Sequence, residues 1–153
     1  MASVREARPE DIPELKDRLR QADVEEVWAS GHYTPEAALR LSYLSSTMRY
    51  TVEHENRAVA MFGVAPVSLL SDKGSPWLLG SDDLLRIKIP FLRQSRDYVQ
   101  EMLTVCPYLE NYVDVRNTLS IVWLKWCGFK MEEAEAYGAE GKSFIRFWLV
   151  KKE

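Results

Sequence analysis

A continuous apolar run, residues 58–64, sets the strongest limit on how this chain can fold. All seven residues, Ala-Val-Ala-Met-Phe-Gly-Val, are apolar or lack a side chain. A strand with apolar side chains on both faces must be covered on both faces, so the run predicts a central strand with helices on either side of its sheet. The run at 50–54 is separated from it by Glu55-Asn56. This spacing predicts a tight antiparallel hairpin.

Helical patterns precede and follow the hairpin. Apolar residues at 12, 15, 19 and 22 recur at helical spacing and predict one helix that runs on to residue 28. Thr34 as N-cap and Pro35 at the first helical position open a second helix, with Ala38, Leu41 and Leu44 on its inner side. Other patterns predict strands at 4–7, 77–79, 108–115 and 144–150, and helices at 91–103 and 118–126, the last with Asn117 as its cap and Gly128 in a left-handed conformation after it.

Size, charge and cysteine content limit the class of protein. A chain of 153 residues can form one domain, residues 1–153, with a core that needs no disulfide or metal. The net charge of −3 creates no general attraction to nucleic acid or anionic lipid. Cys106 and Cys127 lack the paired spacing of a zinc site or a redox dithiol, and no apolar run is long enough to span a bilayer. We therefore expect a cytoplasmic protein with no metal, no nucleic-acid partner and no membrane association.

The segment 113–129 combines a strand, the capping Asn117, the small Ser120 three residues later and a closing Gly128-Phe129. Together with the order of elements, this segment resembles the late motif of the GCN5-related N-acetyltransferases (GNAT), and the likeness extends over essentially the whole chain. The resemblance implies an α/β fold with a central, mostly antiparallel mixed sheet, splayed fourth and fifth strands, and helices on both faces.

A narrower likeness involves the segments 22–28, 60–64, 77–80 and 111–117. Together they are similar to a family of small tailed-phage proteins, described as acetyltransferase-like or as internal virion proteins. This resemblance implies that the protein binds a host or phage protein, and that copies of the chain can form a homo-oligomer. It also implies a location in the host cytoplasm or in the virion.

In the enzyme family, the pantetheine arm of acetyl-CoA lies between the splayed strands. The resemblance places acetyl-CoA on residues of that gap and of the helices beside it: Leu78, Leu79, Gly80, Arg86, Lys88, Arg93, Asn117 and Ser120. No glycine follows Gly80 within residues 81–96, so the usual phosphate-binding turn is absent or remodelled. The basic residues at 86, 88, 93 and 96 either replace its backbone donors or form a solvated helix face.

Acyl transfer to an amine also needs proton transfer. A base must deprotonate the ammonium, and an acid usually reprotonates the leaving thiolate. The family's usual tyrosine acid stands seven residues after the capping Asn, where this chain has Leu124, which has no proton to give. Trp123 and Trp126 carry indole donors, but such residues are more typical of a core or a groove wall.

The candidate bases are acidic residues that we expect to lie beside the gap between the splayed strands. They are Glu25, Glu26 and Asp82, with Asp114 as a fourth; each also fits a surface or capping acid, and Asp114 also fits an ion pair with Arg116. His32 lies in the loop between the first helices and is a candidate for a substrate contact.

Two functions remain open at this point. One is an active acyltransferase that modifies a host or phage amine. The other is a catalytically inactive binding protein that kept the fold and serves as a virion component or as a modulator of a host protein. An open slot between the fourth and fifth strands favours the first, and a slot closed by side chains favours the second. The aromatic strand at 144–150 predicts either a buried strand or an exposed edge that pairs with a partner.

Overall fold

The computed structural model describes residues 2–152, apart from the side chains of residues 88–90. Seven strands and five helices follow one another in this part of the chain. Their bounds are β1 (Ala2–Glu6), α1 (Asp11–Leu15), α2 (Gln21–Gly31), α3 (Pro35–Ser45), β2 (Met48–His54), β3 (Arg57–Pro66), β4 (Lys73–Gly80), α4 (Leu84–Val105), β5 (Tyr108–Asp114), α5 (Thr118–Trp126), β6 (Lys130–Tyr137) and β7 (Lys142–Val150).

The strands form one mixed sheet in the order β1-β2-β3-β4-β5-β7-β6. Every neighbouring pair is antiparallel except β4 and β5, which are parallel. The central run of β3 is buried throughout. Phe62 packs in a core cluster with α4 and α5, and Met61 packs in a second cluster with α1, α2 and α3. The predicted α/β fold, with a central strand covered by helices on both faces, is confirmed.

The hairpin between β2 and β3 turns at the predicted position. Glu55 and Asn56 have φ angles of 53° and 63°. Two successive left-handed residues are typical of the two-residue turn whose twist matches that of the strands it joins. Asparagine tolerates this conformation better than most residues, which explains why the turn forms here.

The prediction of one helix from residue 12 to residue 28 is wrong. Helix α1 ends at Leu15 and α2 begins at Gln21. Between them, Leu19 forms an isolated β-bridge with Ser81, and the Arg20 N–H donates to the Gly80 carbonyl at 2.8 Å. The chain leaves the helix because its backbone pairs with the end of β4, and this contact carries Arg20 into the interior.

Helix α3 begins as predicted, with the Thr34 hydroxyl accepting from the Ala37 N–H. Its predicted inner face is partly wrong. Ala38 and Leu39 are buried, whereas Leu41 and Leu44 are 49% and 68% exposed. The helix thus presents apolar side chains to solvent.

Strand β6 has no counterpart among the predicted strands. It is an edge strand whose residues are almost all exposed and whose sequence includes Glu132, Glu133 and Glu135. These charges discourage pairing with another sheet edge. Because β6 takes the edge, β7 lies between β5 and β6, and its Phe144 and Phe147 are buried.

Helix α4 begins at Leu84 rather than at residue 91. Within residues 2–152, no helix is long and apolar enough to cross a membrane.

Candidate functional site

Strands β4 and β5 separate soon after they meet. They pair only at Lys73–Tyr108 and Gly74–Leu109. One side chain crosses the widening gap, where Asn111 Nδ2 donates to the Pro76 carbonyl at 2.8 Å. Because backbone groups of a strand alternate in direction, the N–H and C=O of Leu78 point the same way as the Pro76 carbonyl, towards β5. The Leu78 backbone therefore faces the gap at a position where β5 does not pair with β4.

Two cavities meet at this gap. The larger, about 380 Å³, lies between the start of α4 and the outer face of α5, and apolar side chains line most of it. The smaller, about 210 Å³, lies on the other side, between α2, α3 and the strands. Leu78 and Trp123 line both cavities. The splay thus gives access to the sheet interior from both faces.

The smaller cavity has an aromatic wall and one carboxyl group. Tyr33, Trp77, Tyr112 and Tyr137 contribute rings, and Glu26 contributes its carboxyl. The rings of Tyr112 and Tyr137 stack, with centroids 3.9 Å apart and planes 12° from parallel. None of these aromatic residues was a candidate from the sequence, because only the sheet pairing brings β5 and β6 to α2.

Glu26 is the candidate base that the fold places in this cavity. Its Oε1 accepts the Asp114 N–H at 2.9 Å and Asn117 Nδ2 at 3.3 Å. Burial raises the pKa of Glu26 to about 8, with a further contribution from the negative charge of Asp23, while the two N–H donors act against the rise. A carboxyl group with this pKa is close to half ionised at mildly alkaline pH.

A buried polar network lies directly behind Glu26. Arg20 Nη2 donates to Asp23 Oδ1 at 2.9 Å and to Asn117 Oδ1 at 2.8 Å. Asp23 also accepts Asn117 Nδ2 and the Gly80 N–H, each at 2.9 Å. Burial raises the pKa of Asp23, while Arg20 and the N–H donors favour its ionised form. The network ties α2 to the end of β4 and to the start of α5, at the open end of the gap.

Asn117 therefore differs from its predicted role. It occupies the N-cap position of α5, but its side chain makes no capping hydrogen bond. Instead, its Oδ1 accepts from Arg20, just before α2, and its Nδ2 donates to Asp23, in the first turn of α2. Ser120, also buried, lines the smaller cavity and lies 3.4 Å from Arg20 Nη2. The sequence suggested Asn117 and Ser120 but not Arg20 or Asp23, whose only signal was a pair of opposite charges three residues apart.

The start of α4 does not form a backbone cradle for phosphate in the residues described. The N–H groups of Leu84, Leu85 and Arg86 donate to the carbonyls of Ser81, Asp82 and Asp83, respectively, at 3.0–3.1 Å. These donors are thus already used. Only Ser81, Asp82 and Asp83 connect β4 to α4, so no glycine-rich loop precedes the helix.

Two of the predicted phosphate-binding side chains, those of Arg86 and Arg93, project from this helix into solvent. The Arg86 side chain is 75% exposed and lies 3.9 Å from Asp83, which also pairs with Arg18 at 3.1 Å. Arg93 is exposed as well. The side chain of Lys88 lies outside the described residues. Of the strand residues, Leu79 is buried and lines only the smaller cavity, and Gly80 binds Asp23 through its N–H.

The other candidate acids lie elsewhere. Glu25 is half-exposed and 3.9 Å from Arg116. Asp114 is buried and bonded to Arg116 at 2.7 Å, which holds the pKa of Asp114 below its usual value against the effect of burial. Asp82 is exposed and does not line either cavity.

The turn between β6 and β7, residues 138–141, which we name the closing turn, adjoins the wall of the smaller cavity, because it follows Tyr137 and bonds to Ser30. The N–H groups of Ala139 and Glu140 donate to the carbonyls of Ser30 and Ala29 at 3.1 and 3.2 Å. His32 Nε2 lies 2.7 Å from a Glu140 carboxylate oxygen. His32 thus contacts the closing turn rather than lining the cavity.

Trp123 has a feature that the sequence did not reveal. It is 5% exposed, its ring stacks on Phe91 with centroids 5.9 Å apart, and its Nε1 is buried without a hydrogen-bond partner among the described residues. A buried donor without a partner costs about 1–3 kcal/mol, so it marks a place where a bound acceptor would be favourable. Among residues 2–152, no cluster of three or more His, Cys, Asp or Glu side chains is suited to hold a metal ion.

No family model and no curated protein sequence matches this chain. Solved structures do match it along nearly its whole length. The ribosomal-protein-S18-alanine N-acetyltransferase from Escherichia coli is 14% identical, with coverage of 100% of this chain and 96% of that one, at a TM-score of 0.68. Ard1 from Thermoplasma volcanium is 18% identical, with 99% of both chains covered and a TM-score of 0.69.

The spermidine N-acetyltransferase from Vibrio cholerae, solved with CoA and spermine, is 13% identical, with coverage of 98% and 95% and a TM-score of 0.67. Identities this low establish the arrangement of elements and not the chemistry. The chain therefore has the fold of the GCN5-related N-acetyltransferases.

Proposed function

We propose that this protein transfers an acyl group from acetyl-CoA to a primary amine, with Glu26 as the general base. The observation that carries the proposal is the position of Glu26, a carboxyl with a pKa near 8 in a cavity that opens onto the gap between β4 and β5. An alkyl ammonium has a pKa of roughly 10, so a base of pKa near 8 accepts its proton far more readily than an ordinary carboxylate does. Glu25 and Asp82 are weaker candidates, because neither lines the cavity.

The donor side of the site fits the apolar and amide parts of acetyl-CoA. The Leu78 backbone offers a donor and an acceptor to an extended amide chain, as an edge strand does. The apolar cavity beside α4 and α5 offers a surface for the pantetheine arm. Trp123 Nε1 lacks an acceptor, which a carbonyl oxygen of the ligand would supply. Arg86, Arg93 and Lys88 are the side chains we assign to the phosphates, since the backbone donors of α4 are in use.

The absence of a proton donor at position 124 is compatible with this chemistry. Leu124 is buried and lines the smaller cavity, where the usual tyrosine would stand. A free thiol has a pKa of roughly 8.5, so at mildly alkaline pH a thiolate can leave without being protonated by the enzyme. The pKa of Glu26 favours the same pH range. We therefore expect activity to rise as the pH increases towards 8 and above.

The alternative is a binding protein that has lost the transfer chemistry. Three observations favour it: the occupied N–H groups at the start of α4, the Asn111 side chain that bridges the gap, and Leu124 itself. The similarity to small tailed-phage proteins makes a host or phage amine the acceptor in the first proposal. In the alternative, the same similarity indicates that the protein serves as a virion component or as a modulator of a host protein. In both cases it indicates a location in the host cytoplasm or in the virion.

Thermal melting with acetyl-CoA, followed by a thiol-release assay with an amine panel, tests the proposal. Acetyl-CoA at about one hundred times its dissociation constant should stabilise the folded protein by about 2.7 kcal/mol. Glu26→Gln keeps the shape of the side chain and removes its base, and should lower kcat/KM by about 10²–10⁴-fold. Glu25→Gln is the matched control, since Glu25 faces Arg116 outside the cavity.

Two results would overturn the proposal. If acetyl-CoA at about millimolar concentration leaves the melting temperature unchanged, the gap is not a donor site and the binding alternative gains. If Glu26→Gln and Glu25→Gln lower kcat/KM equally, Glu26 is not the base.

A further inference from the structure

We infer that the smaller cavity accepts a primary amine with a single positive charge on an otherwise uncharged, largely apolar body. The inference rests on the proposed function and defines its acceptor more narrowly. It follows from which charges line the cavity, which surfaces surround them, and where the lining is exposed to solvent.

The charges of the cavity select against additional ionic groups on the acceptor. Among the lining residues that the structure describes, Glu26 is the one charged side chain. An amino acid with a free carboxylate would bring a negative charge beside Glu26 with no cationic partner, which is costly in a partly buried site. A polyamine would bring a second ammonium into apolar surroundings. One ammonium, placed against Glu26, is the only charge that the wall can neutralise.

The walls around Glu26 suit an apolar or aromatic body. Val27, Ala38 and Phe144 provide apolar contacts at the inner end. Tyr112 and Tyr137 stack on each other and both line the cavity, so the pair adds aromatic surface, which attracts a cation and packs against flat groups. The ammonium is thus stabilised by a carboxylate and by aromatic faces, while the rest of the acceptor displaces water from apolar surface.

The exposed part of the lining sets the direction in which the acceptor extends. At the end of α2, the lining residue Ser30 is covered by the closing turn, which bonds to it. Tyr33 and Leu41 also line the cavity and are 40% and 49% exposed, so they lie where it reaches solvent. An acceptor that continues beyond the cavity therefore leaves over an apolar lip. Both a free arylalkylamine and the uncharged N-terminal segment of a peptide satisfy this description.

Calorimetry without acetyl-CoA tests the inference directly. Phenethylamine, L-phenylalanine and spermidine share a primary amine but differ in their other charges, and 2-phenylethanol has no charge. At about pH 8.5, where Glu26 is mostly ionised and the amine is still mostly protonated, phenethylamine should bind at least about tenfold more tightly than each of the others. Glu26→Gln should remove its advantage over 2-phenylethanol, and Glu25→Gln should keep it. Equal or tighter binding of phenylalanine or spermidine would overturn the inference.

Turnover with acetyl-CoA separates this inference from the proposed function. If phenethylamine binds as expected but is not acetylated, the acceptor site stands and the proposed transfer fails. If spermidine is acetylated in preference to phenethylamine, the transfer stands and the inferred acceptor class fails. A C-terminally amidated peptide with an apolar N-terminal residue completes the panel. Preference for that peptide would support the inference and identify a protein-borne amine, whereas preference for phenethylamine would support it and identify a free amine.

Discussion

Replacing Trp123 by phenylalanine isolates one hydrogen-bond donor at the meeting point of the two cavities. The phenyl ring keeps the stacking on Phe91 and loses the indole N–H. In the free protein, removal of a buried donor that has no partner gains about 1–3 kcal/mol. The smaller ring loses packing contacts worth a comparable amount, about 1–3 kcal/mol. The free energy of unfolding should therefore change by no more than about 2 kcal/mol in either direction.

The effect on acetyl-CoA should be distinct from the effect on stability. If Trp123 Nε1 donates to a carbonyl of the bound ligand, binding relieves the cost of the unpartnered donor, so the substitution loses at least about 1–3 kcal/mol of binding, or about 5- to 150-fold in Kd. If that carbonyl is the one attacked by the amine, kcat should fall by about 10²–10³-fold because the donor stabilises developing negative charge. Urea unfolding gives the stability, calorimetry gives Kd, and thiol release gives kcat.

Trp126 supplies the matched control on the same helix. Its Nε1 donates to the Leu92 carbonyl at 2.7 Å and it lines neither cavity. Trp126→Phe should cost about 0.5–1.5 kcal/mol of stability and leave acetyl-CoA binding unchanged. An unchanged Kd and kcat in Trp123→Phe would refute the assignment of this donor to the ligand.

Two further substitutions test other parts of the site. Glu26→Gln should make the free energy of unfolding less dependent on pH. The pKa of Glu26 is about 8 in the folded protein and 4.5 ordinarily, so the parent loses stability relative to the variant as the pH rises between these values. An equal change in the free energy of unfolding of both proteins between pH 5 and pH 8 would contradict this. Gly138→Ala should cost about 1–3 kcal/mol in urea unfolding, because φ is 79° and the new Cβ would lie 2.8 Å from the Ala29 carbonyl oxygen. Gly141→Ala, with φ 63° and nothing within 4 Å, should cost less, and equal costs would show that the closing turn is not tightly packed against α2.

The fold could be predicted largely from hydrophobic patterning. The run at 58–64 required cover on both faces, and Glu55-Asn56 fixed the hairpin that leads into it. Hydrophobic patterning failed where something other than burial of apolar side chains determined the secondary structure. Residues 16–20 have helical spacing, but Arg20 bonds to the end of β4, a contact between residues distant in sequence. Strand β6 is exposed along almost all of its length, so it has no apolar alternation to detect.

The candidate site was predictable only in part. The sequence suggested Glu26 together with Glu25, Asp82 and Asp114, all with equal standing, and only the tertiary structure separates them by burial and position. The network behind Glu26 joins α2 to residues more than ninety positions later. Asn117 looked like a helix cap because the local chain supports that role, and no local signal shows that its side chain bonds to α2. The aromatic wall is assembled from separate strands, so its residues carry no common motif.

The short pairing between β4 and β5 divides the sheet into two leaves, β1 to β4 and β5 to β7, that share a backbone ladder at one end only. At the other end, side chains of α2 and Asn117 tie the leaves together. A ligand with amide groups, bound in the gap, would take the place of a strand there and extend the hydrogen-bonded ladder. A ligand that binds only while the two leaves are together slows their separation, so the lifetime of the folded protein would depend on the fraction of molecules with ligand in the gap. Under this coupling, the amount of the protein in a cell follows the supply of whatever fills the gap.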